Sequence, residues 1–302
     1  MEKTINFLKY QYIAIGASWV FIIGLTIGTI LSGGFNYGID FVGGYKIIAK
    51  FQDSSVSEGT IRKVLEEFNP TVQKIGEESK NQYIITTKLD NTMIAPVQGS
   101  SDQTSVSKYE MMKRTLVEKL PGATIQSEET VGPAIGDYLR KSAWKLTLMA
   151  VVMMSIYLSF RFEVKYAFGG MVCLFHDMAM TVAFCGIMGI EINITVLAAL
   201  LTLYGYSIND TIVIFDRIRE TDQLRGKTTF KDVINKAITE TLTRTLITGV
   251  TTLFSVLVLY LMGGEALHDF SFVLLFGILL GTYSSIYIAS PAVLWWEKWR
   301  AK

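Results

Sequence analysis

Six runs of apolar residues, near 13–31, 142–160, 165–188, 192–215, 243–263 and 270–294, are each long enough to cross a hydrocarbon layer of about 30 Å. A chain that carries them is expected to fold as a polytopic α-helical membrane protein, because only helices and closed barrels satisfy every backbone polar group in lipid. Half of the 302 residues are hydrophobic, yet 18% are charged, which is too many for membrane spans alone and calls for a polar domain as well. The long stretch between the first two runs supplies it. The expected division is 1–34 for the N-terminus and first span, 35–140 for an extracytoplasmic α+β domain, and 141–302 for spans two to six with a cytoplasmic loop at 217–241.

Positive residues orient the spans. Lys3, Lys9, Arg161, Lys165, Arg217, Arg219, Arg225, Lys227, Lys231, Lys236, Lys298, Arg300 and Lys302 all fall on the side shared with the N-terminus, while the opposite short turns hold Glu191, Glu265 and Asp269. Both termini are therefore expected in the cytoplasm. Lys3 and Lys9 precede the first run as in a signal peptide, but no small-residue cleavage pattern follows, so an uncleaved first helix is expected. A net charge of +1 gives no reason to expect a nucleic-acid partner; the lipid bilayer is the surrounding phase. Cys173 and Cys185 share one run, about 18 Å apart if helical, beyond the reach of a disulfide.

In the outer stretch, "YKIIAKF" (45–51) and "NQYIITTKL" (81–89) predict strands, with "TVQKIG" (71–76) and "ATIQSEE" (from 123) as further ones. Ser57 caps a helix with Ile61, Val64, Leu65 and Phe68 on one face, and a second helix near 107–120 places Tyr109, Met112, Leu116 and Leu120 together. The order βαββαβ predicts a ferredoxin-like sheet with two helices on one face. The polar stretch 90–106 predicts a mobile loop.

Ionisable residues inside the spans are costly, and mark functional sites by default. Asp210 and Arg244 sit about 27 and about 28 Å from the outer boundary on adjacent antiparallel helices, level with one another, so that they either form an ion pair or snorkel separately to the cytoplasmic rim. His176 and Asp177 lie near the midplane, as a satisfied structural contact or as part of a proton pathway. With Asn209 and Ser207 these residues spread over three helices as an ionisable chain. A carboxylate beside an arginine is held ionised, so helix movement that separates the two would drive proton uptake.

Gly277, Gly281, Ser285 and Ala289 form a small-residue stripe on span six, and Gly24, Gly28 and Ser32 another on span one, for packing within the bundle or for docking a partner. Gly38, Gly43 and Gly44 in "FNYGIDFVGGY" (35–45) permit sharp turns, and Asp40 can tie them, so this segment is a plain connector or a hinge. His268 at an outer turn is read as incidental. No Walker-type glycine loop, metal-ligand cluster or nucleophile triad appears in the sequence, so no enzyme site and no cofactor are expected, and work must draw on an ion gradient or a partner.

"GIDFVGG" (38–44), "VGPAIGDYLRKSA" (131–143), "HD" (176–177), "GYSINDTIVIFDRIRE" (205–220), "TRTLITG" (243–249) and "SIYIASP" (285–291) together resemble the SecF family of the bacterial SecD–SecF accessory complex, within the resistance-nodulation-division superfamily. The resemblance runs from about residue 13 to 295. It implies a multi-pass protein of the bacterial inner membrane that pairs with a SecD homologue, joins a SecYEG-type translocon and other accessory subunits, and uses the proton gradient to help unfolded preproteins across and off the outer side. It places Asp210 and Arg244 on the proton path, beside a SecD carboxylate, with protons as the coupling ion. It makes Gly38, Asp40, Gly43, Gly44, Gly132, Pro133 and Asp137 signature positions at the root of the outer domain. Two rivals remain at this point: a half-size exporter of lipids or drugs, and a passive scaffold.

Overall fold

The computed structural model describes residues 4–53, 55–75, 81–88, 108–120 and 122–300. They fall into two compact units, one made of the residues up to Asn36 with those from Lys145 onward, the other of Tyr37–Trp144.

In the membrane unit six helices are long and apolar enough to span: α1 (Gln11–Leu31), α5 (Pro133–Arg161), α6 (Val164–Ile187), α7 (Ile194–Gln223), α8 (Phe230–Met262), and a last span made of α9 (Glu265–Ser284), a π-turn (Ser285–Ala289) and α10 (Ser290–Arg300). The protein is a multi-pass membrane protein. Three spans, α5, α7 and α8, are longer than hydropathy indicates. α5 begins at Pro133, where a missing N–H costs nothing in a first helical turn, so the 131–143 motif is largely helical rather than a return loop. The expected loop 217–241 is mostly helix as well: α7 runs on to Gln223 and α8 starts at Phe230, capped by Thr229, whose side chain accepts the Asp232 N–H. Charged side chains at this end pair across helices, Arg217 with Glu240 at 2.6 Å and Arg161 with Asp216 at 2.7 Å, so the helices extend beyond the apolar layer.

About half of the most apolar stretch of α6, α7 and the last span is buried (44–56%), against 6–17% for α1, α5 and α8. The first three form the centre of the unit, and the others turn side chains outward to lipid or to another chain. Tyr166, Phe215, Ile214, Ile218 and Leu158 fill the core near the charged end. Ahead of α1, the Leu8 N–H donates to Asn235 Oδ1 at 3.1 Å, which fastens the N-terminal segment to α8. Cys173 and Cys185 are buried free thiols.

The second unit contains, in order, β1 (Gly44–Phe51), α3 (Glu58–Val64) with a 3-10 turn (Glu66–Phe68), β2 (Thr71–Ile75), β3 (Gln82–Lys88), α4 (Lys108–Lys119) and β4 (Ala123–Val131). Its sheet is antiparallel throughout, in the order β2-β3-β1-β4. Ser57 caps α3 by accepting the Thr60 N–H. Ile61, Leu65, Met112 and Leu116 are buried against Ile47, Ala49 and Ile85, so both helices cover one sheet face. On β4, Glu128 bonds Lys113 at 2.6 Å and the Tyr109 hydroxyl at 2.5 Å. The Lys113 bond, then the Tyr109 bond, hold the Glu128 carboxyl below the usual range. Burial first, and then the Glu128 bond, push the Tyr109 phenol up. The stretch 90–106, expected as a loop, lies outside the described residues.

Candidate functional site

Asp177, one of the two mid-membrane residues singled out in "HD", sits at the junction of three helices and is 8% exposed. Its Oδ2 accepts the Ser207 hydroxyl of α7 at 2.5 Å and the Ser284 hydroxyl of α9 at 2.7 Å. Oδ1 lies 2.9 Å from Nδ1 of His176, and the Cys173 thiol, one turn back, reaches Ser284 at 3.3 Å. A carboxylate in a low-dielectric interior needs such partners on both oxygens. The far ring nitrogen of His176, Nε2, has no partner among the described residues, although the side chain is fully buried beside Trp19.

Ser284 and Ser285 are consecutive, yet they serve different helices: Ser284 reaches Asp177 on α6, and Ser285 reaches Thr211 on α7 at 2.9 Å. A π-turn, Ser285–Ala289, begins at the second of them. Its cause is local. Pro291 has no N–H for the carbonyl four residues back, so the turn widens, and the Ser290 hydroxyl donates to the Ser285 carbonyl at 3.0 Å. Ser284, Thr211 and Cys173 were not legible as site residues, because adjacent serines in an apolar run read as packing.

Asp210 is 2% exposed, and its Oδ2 has no hydrogen-bond partner among the described residues. Of the two arrangements open to Asp210 and Arg244, the ion pair is not formed: no contact within 4.0 Å joins the two, although the guanidinium is near enough for its charge to act on the carboxyl. The physical reason is rotational. Thr245 is the residue of that α8 turn that is buried, while Arg244 is exposed on the outer face. Asn209 is exposed on α7 as well and does not join the Asp177 cluster. Asp216, the third acidic or amide residue of that motif, is an ion-pair residue of the charged end, between Arg161 and Arg219.

The stripe Gly277, Gly281, Ser285, Ala289 packs inside the bundle. A Cβ on Gly277 would stand 2.1 Å from Leu203 Cδ1, and one on Gly281 would stand 3.3 Å from Ser207 Cβ. Ala289 is fully buried against Gly169 of α6. On α1, a Cβ at Gly28 would meet Ile187, whereas Gly24 faces open space.

At the start of the second unit, "GIDFV" is not a bare connector: Ile39–Val42 form one helical turn, α2, with Gly38 before it, Asp40 in it and Gly43 ending it at φ +79°. Gly44 opens β1 where a Cβ would stand 2.5 Å from the Thr87 carbonyl oxygen. Gly136, which went unremarked in the sequence, presses on this turn, with its Cβ position 3.0 Å from Gly43 N. Gly132 has open space around it, Pro133 starts α5, and Asp137 pairs with Arg140 at 2.8 Å on the exposed surface. His268, expected at a turn, lies in the first turn of α9, 3.3 Å from Asp269 and against the Tyr260 ring.

The family model described as "Protein export membrane protein SecD/SecF, C-terminal" matches residues 111–299. The protein translocase subunit SecF of Thermodesulfovibrio yellowstonii is 37% identical over 300 residues, covering 97% of this chain and 95% of that protein. The protein translocase subunit SecDF of Thermus thermophilus is 35% identical over 285 residues, and there the match covers 94% of this chain but only 37% of the relative. The crystal structure of SecDF from the same organism superposes with a TM-score of 0.83 at 31% identity, over 98% of this chain and 39% of that one. The motif order, the six spans and these matches lead to one assignment: the chain belongs to the SecD/SecF family of protein-export membrane proteins, among its SecF members.

Proposed function

We propose that the chain is the SecF-type half of a SecD–SecF pair that uses the proton gradient to assist preprotein translocation and release on the outer side of the bacterial inner membrane. The observation that carries this reading is Asp210: a carboxylate buried between α7 and α8, one oxygen unpartnered, with an arginine charge in range but not in contact. A buried acid held loosely enough to change its charge is what coupling to a proton gradient needs.

Arg244, exposed on a span that turns most of its apolar surface outward, is in this reading covered by a SecD chain that supplies a carboxylate. The fused SecDF relatives, of which this chain matches little more than a third, support such a partnership. Asn209 belongs to the same seam. Asp177 and His176 form a second station on the path, supported by the unpartnered His176 Nε2. Both termini are cytoplasmic by the distribution of Lys and Arg. The outer unit is ferredoxin-like, a reading supported by its strand order and antiparallel pairing, and it is the part that handles the emerging preprotein. Helix movement reaches it along α5, which carries residues of both units, and through the glycine-bounded turn 38–44. A SecYEG-type translocon supplies the channel and its motor the ATP chemistry, leaving this subunit without a hydrolytic site or cofactor.

The test is secretion by membrane vesicles that contain the assembled pair, with Asp210→Asn in place of the native residue. The substitution keeps shape and cannot ionise. Loss of the part of the rate that depends on the gradient supports the reading, and an unchanged rate refutes it.

A further inference from the structure

Along α8 the hydroxyls of Thr239, Thr241, Thr248, Thr251, Thr252 and Ser255 each donate to a backbone carbonyl one turn back. That is how a hydroxyl on a membrane helix ordinarily satisfies itself. Thr245 departs from the pattern: it is 2% exposed, and its Oγ1 has no partner among the described residues. Two buried oxygens on α7 share that condition, Asp210 Oδ2 and the Tyr206 hydroxyl.

Helix register brings the three together. The Tyr206 hydroxyl lies against Gly249, 3.6 Å from where a Cβ there would stand, and farther along the same seam Arg217 bonds Glu240 at 2.6 Å. α7 and α8 are therefore antiparallel, with 206 facing 249 and 217 facing 240. One turn from the first pair, 210 faces 245, and 206 and 210 share one side of α7. The seam thus holds a carboxylate oxygen and two hydroxyls, all buried; Asp210 Oδ2 and the Thr245 hydroxyl have no partner among the described residues, and the Tyr206 hydroxyl has only the Thr252 hydroxyl nearby, outside good hydrogen-bond geometry.

We infer that Tyr206, Asp210 and Thr245 together hold one water molecule between α7 and α8, and that Tyr206 and Thr245 are positioning residues for proton exchange at Asp210. A buried water makes about three hydrogen bonds to groups of this kind, and the seam offers one acceptor and two hydroxyls that both donate and accept. A metal cation fits the site poorly, because the Arg244 charge already acts there. The titratable and charged groups that bear on Asp210 are Tyr206 from its own helix and Arg244 from α8. In the exchange a proton arriving on the water as hydronium moves to Oδ2 and leaves neutral water, and the reverse step restores the carboxylate and the hydronium. The water itself follows from the geometry, whereas its role in proton exchange rests on the proposed function of Asp210.

The experiment compares Thr245→Val, Thr245→Ser and Tyr206→Phe in the full chain with its partner, by pH-difference infrared spectroscopy and by gradient-driven secretion. The Asp210 carboxyl band is the one lost in Asp210→Asn. Thr245→Val and Tyr206→Phe are expected to shift that band, and Thr245→Ser to leave it at the wild-type position. Secretion is expected to slow about a hundredfold in Thr245→Val, the low end for positioned proton transfer, and to recover in Thr245→Ser. An Asp210 band that does not move in Thr245→Val or in Tyr206→Phe overturns the proposal, as does a shift that Thr245→Ser shares. A band that moves while Asp210→Asn secretes normally keeps the water and removes Asp210 from the export mechanism.

Discussion

The Ser284 hydroxyl of α9 lies 2.7 Å from Asp177 Oδ2 of α6, and both side chains are buried. Ser284→Ala removes one of the donors to that oxygen, while Ser207 remains. The expected cost is about 1 kcal/mol of stability, the scale of one interhelical hydrogen bond in a membrane protein. Asp177→Ala strips the partner from Ser207, Ser284 and His176 together and is expected to cost about 3 kcal/mol or more. Thermal unfolding in a mild detergent, followed by the burial of the free thiol Cys173, measures both.

Gly277 is a packing contact with Leu203, so Gly277→Ala forces Leu203 from its place, at a cost of about 1–3 kcal/mol. The clash atoms belong to one side chain, so the double variant Gly277→Ala with Leu203→Ala is expected to recover much of that loss. Melting temperatures of the two variants decide it, and equal destabilisation in both would mean that the stripe does not pack as described.

Burial also separates the partner-facing surface from the interior. Cysteines placed at Asn209 and Arg244, both exposed in the membrane unit, are expected to cross-link to a SecD-type chain, whereas cysteines at Gly281 and Ser285 are not. Cross-linking of the last two would restore the stripe as a docking face.

The second unit, Tyr37–Trp144, carries an acid-sensitive contact. Lys113 first, then Tyr109, lower the pKa of Glu128 in the folded state, so the contact adds stability above the ordinary carboxylate range. That stability is lost as the pH falls through the lowered folded value. Glu128→Gln is expected to flatten this acid limb by lowering stability at neutral pH to about its acid value while leaving stability at acid pH unchanged, a small change because the pair is partly exposed. Hydrogen exchange of the β4 and α4 amides in the full chain, measured across the acid range, reads the effect.

The membrane fold was legible because hydrocarbon imposes a length and a polarity on each span, and the outer unit because its apolar residues repeat with the periods of strand and helix. Tyr109, Met112, Leu116 and Leu120, assigned to one helix face by spacing, are all buried. What spacing could not supply was rotation about a helix axis. A shared depth for Asp210 and Arg244 suggested an ion pair, yet a turn of one residue points Thr245 inward and Arg244 outward. The Asp177 cluster was half legible, since "HD" stood out among apolar neighbours and Ser207 among the polar residues of α7, but Ser284, the last residue of α9, sat in an apolar run and read as packing. Helical extension past the apolar layer was hidden too, because hydropathy ends where ion pairs such as Arg217 with Glu240 take over.

The central claim, that Asp210 takes up and releases a proton in step with the gradient, is tested most directly by proton flux into vesicles that contain the assembled pair and report internal pH through a trapped dye. The expected result is a gradient-driven flux in the native protein that disappears in Asp210→Asn and is strongly reduced in Arg244→Lys, whose ammonium lacks the planar guanidinium. A flux in Asp210→Asn equal to that of the native protein would contradict the account.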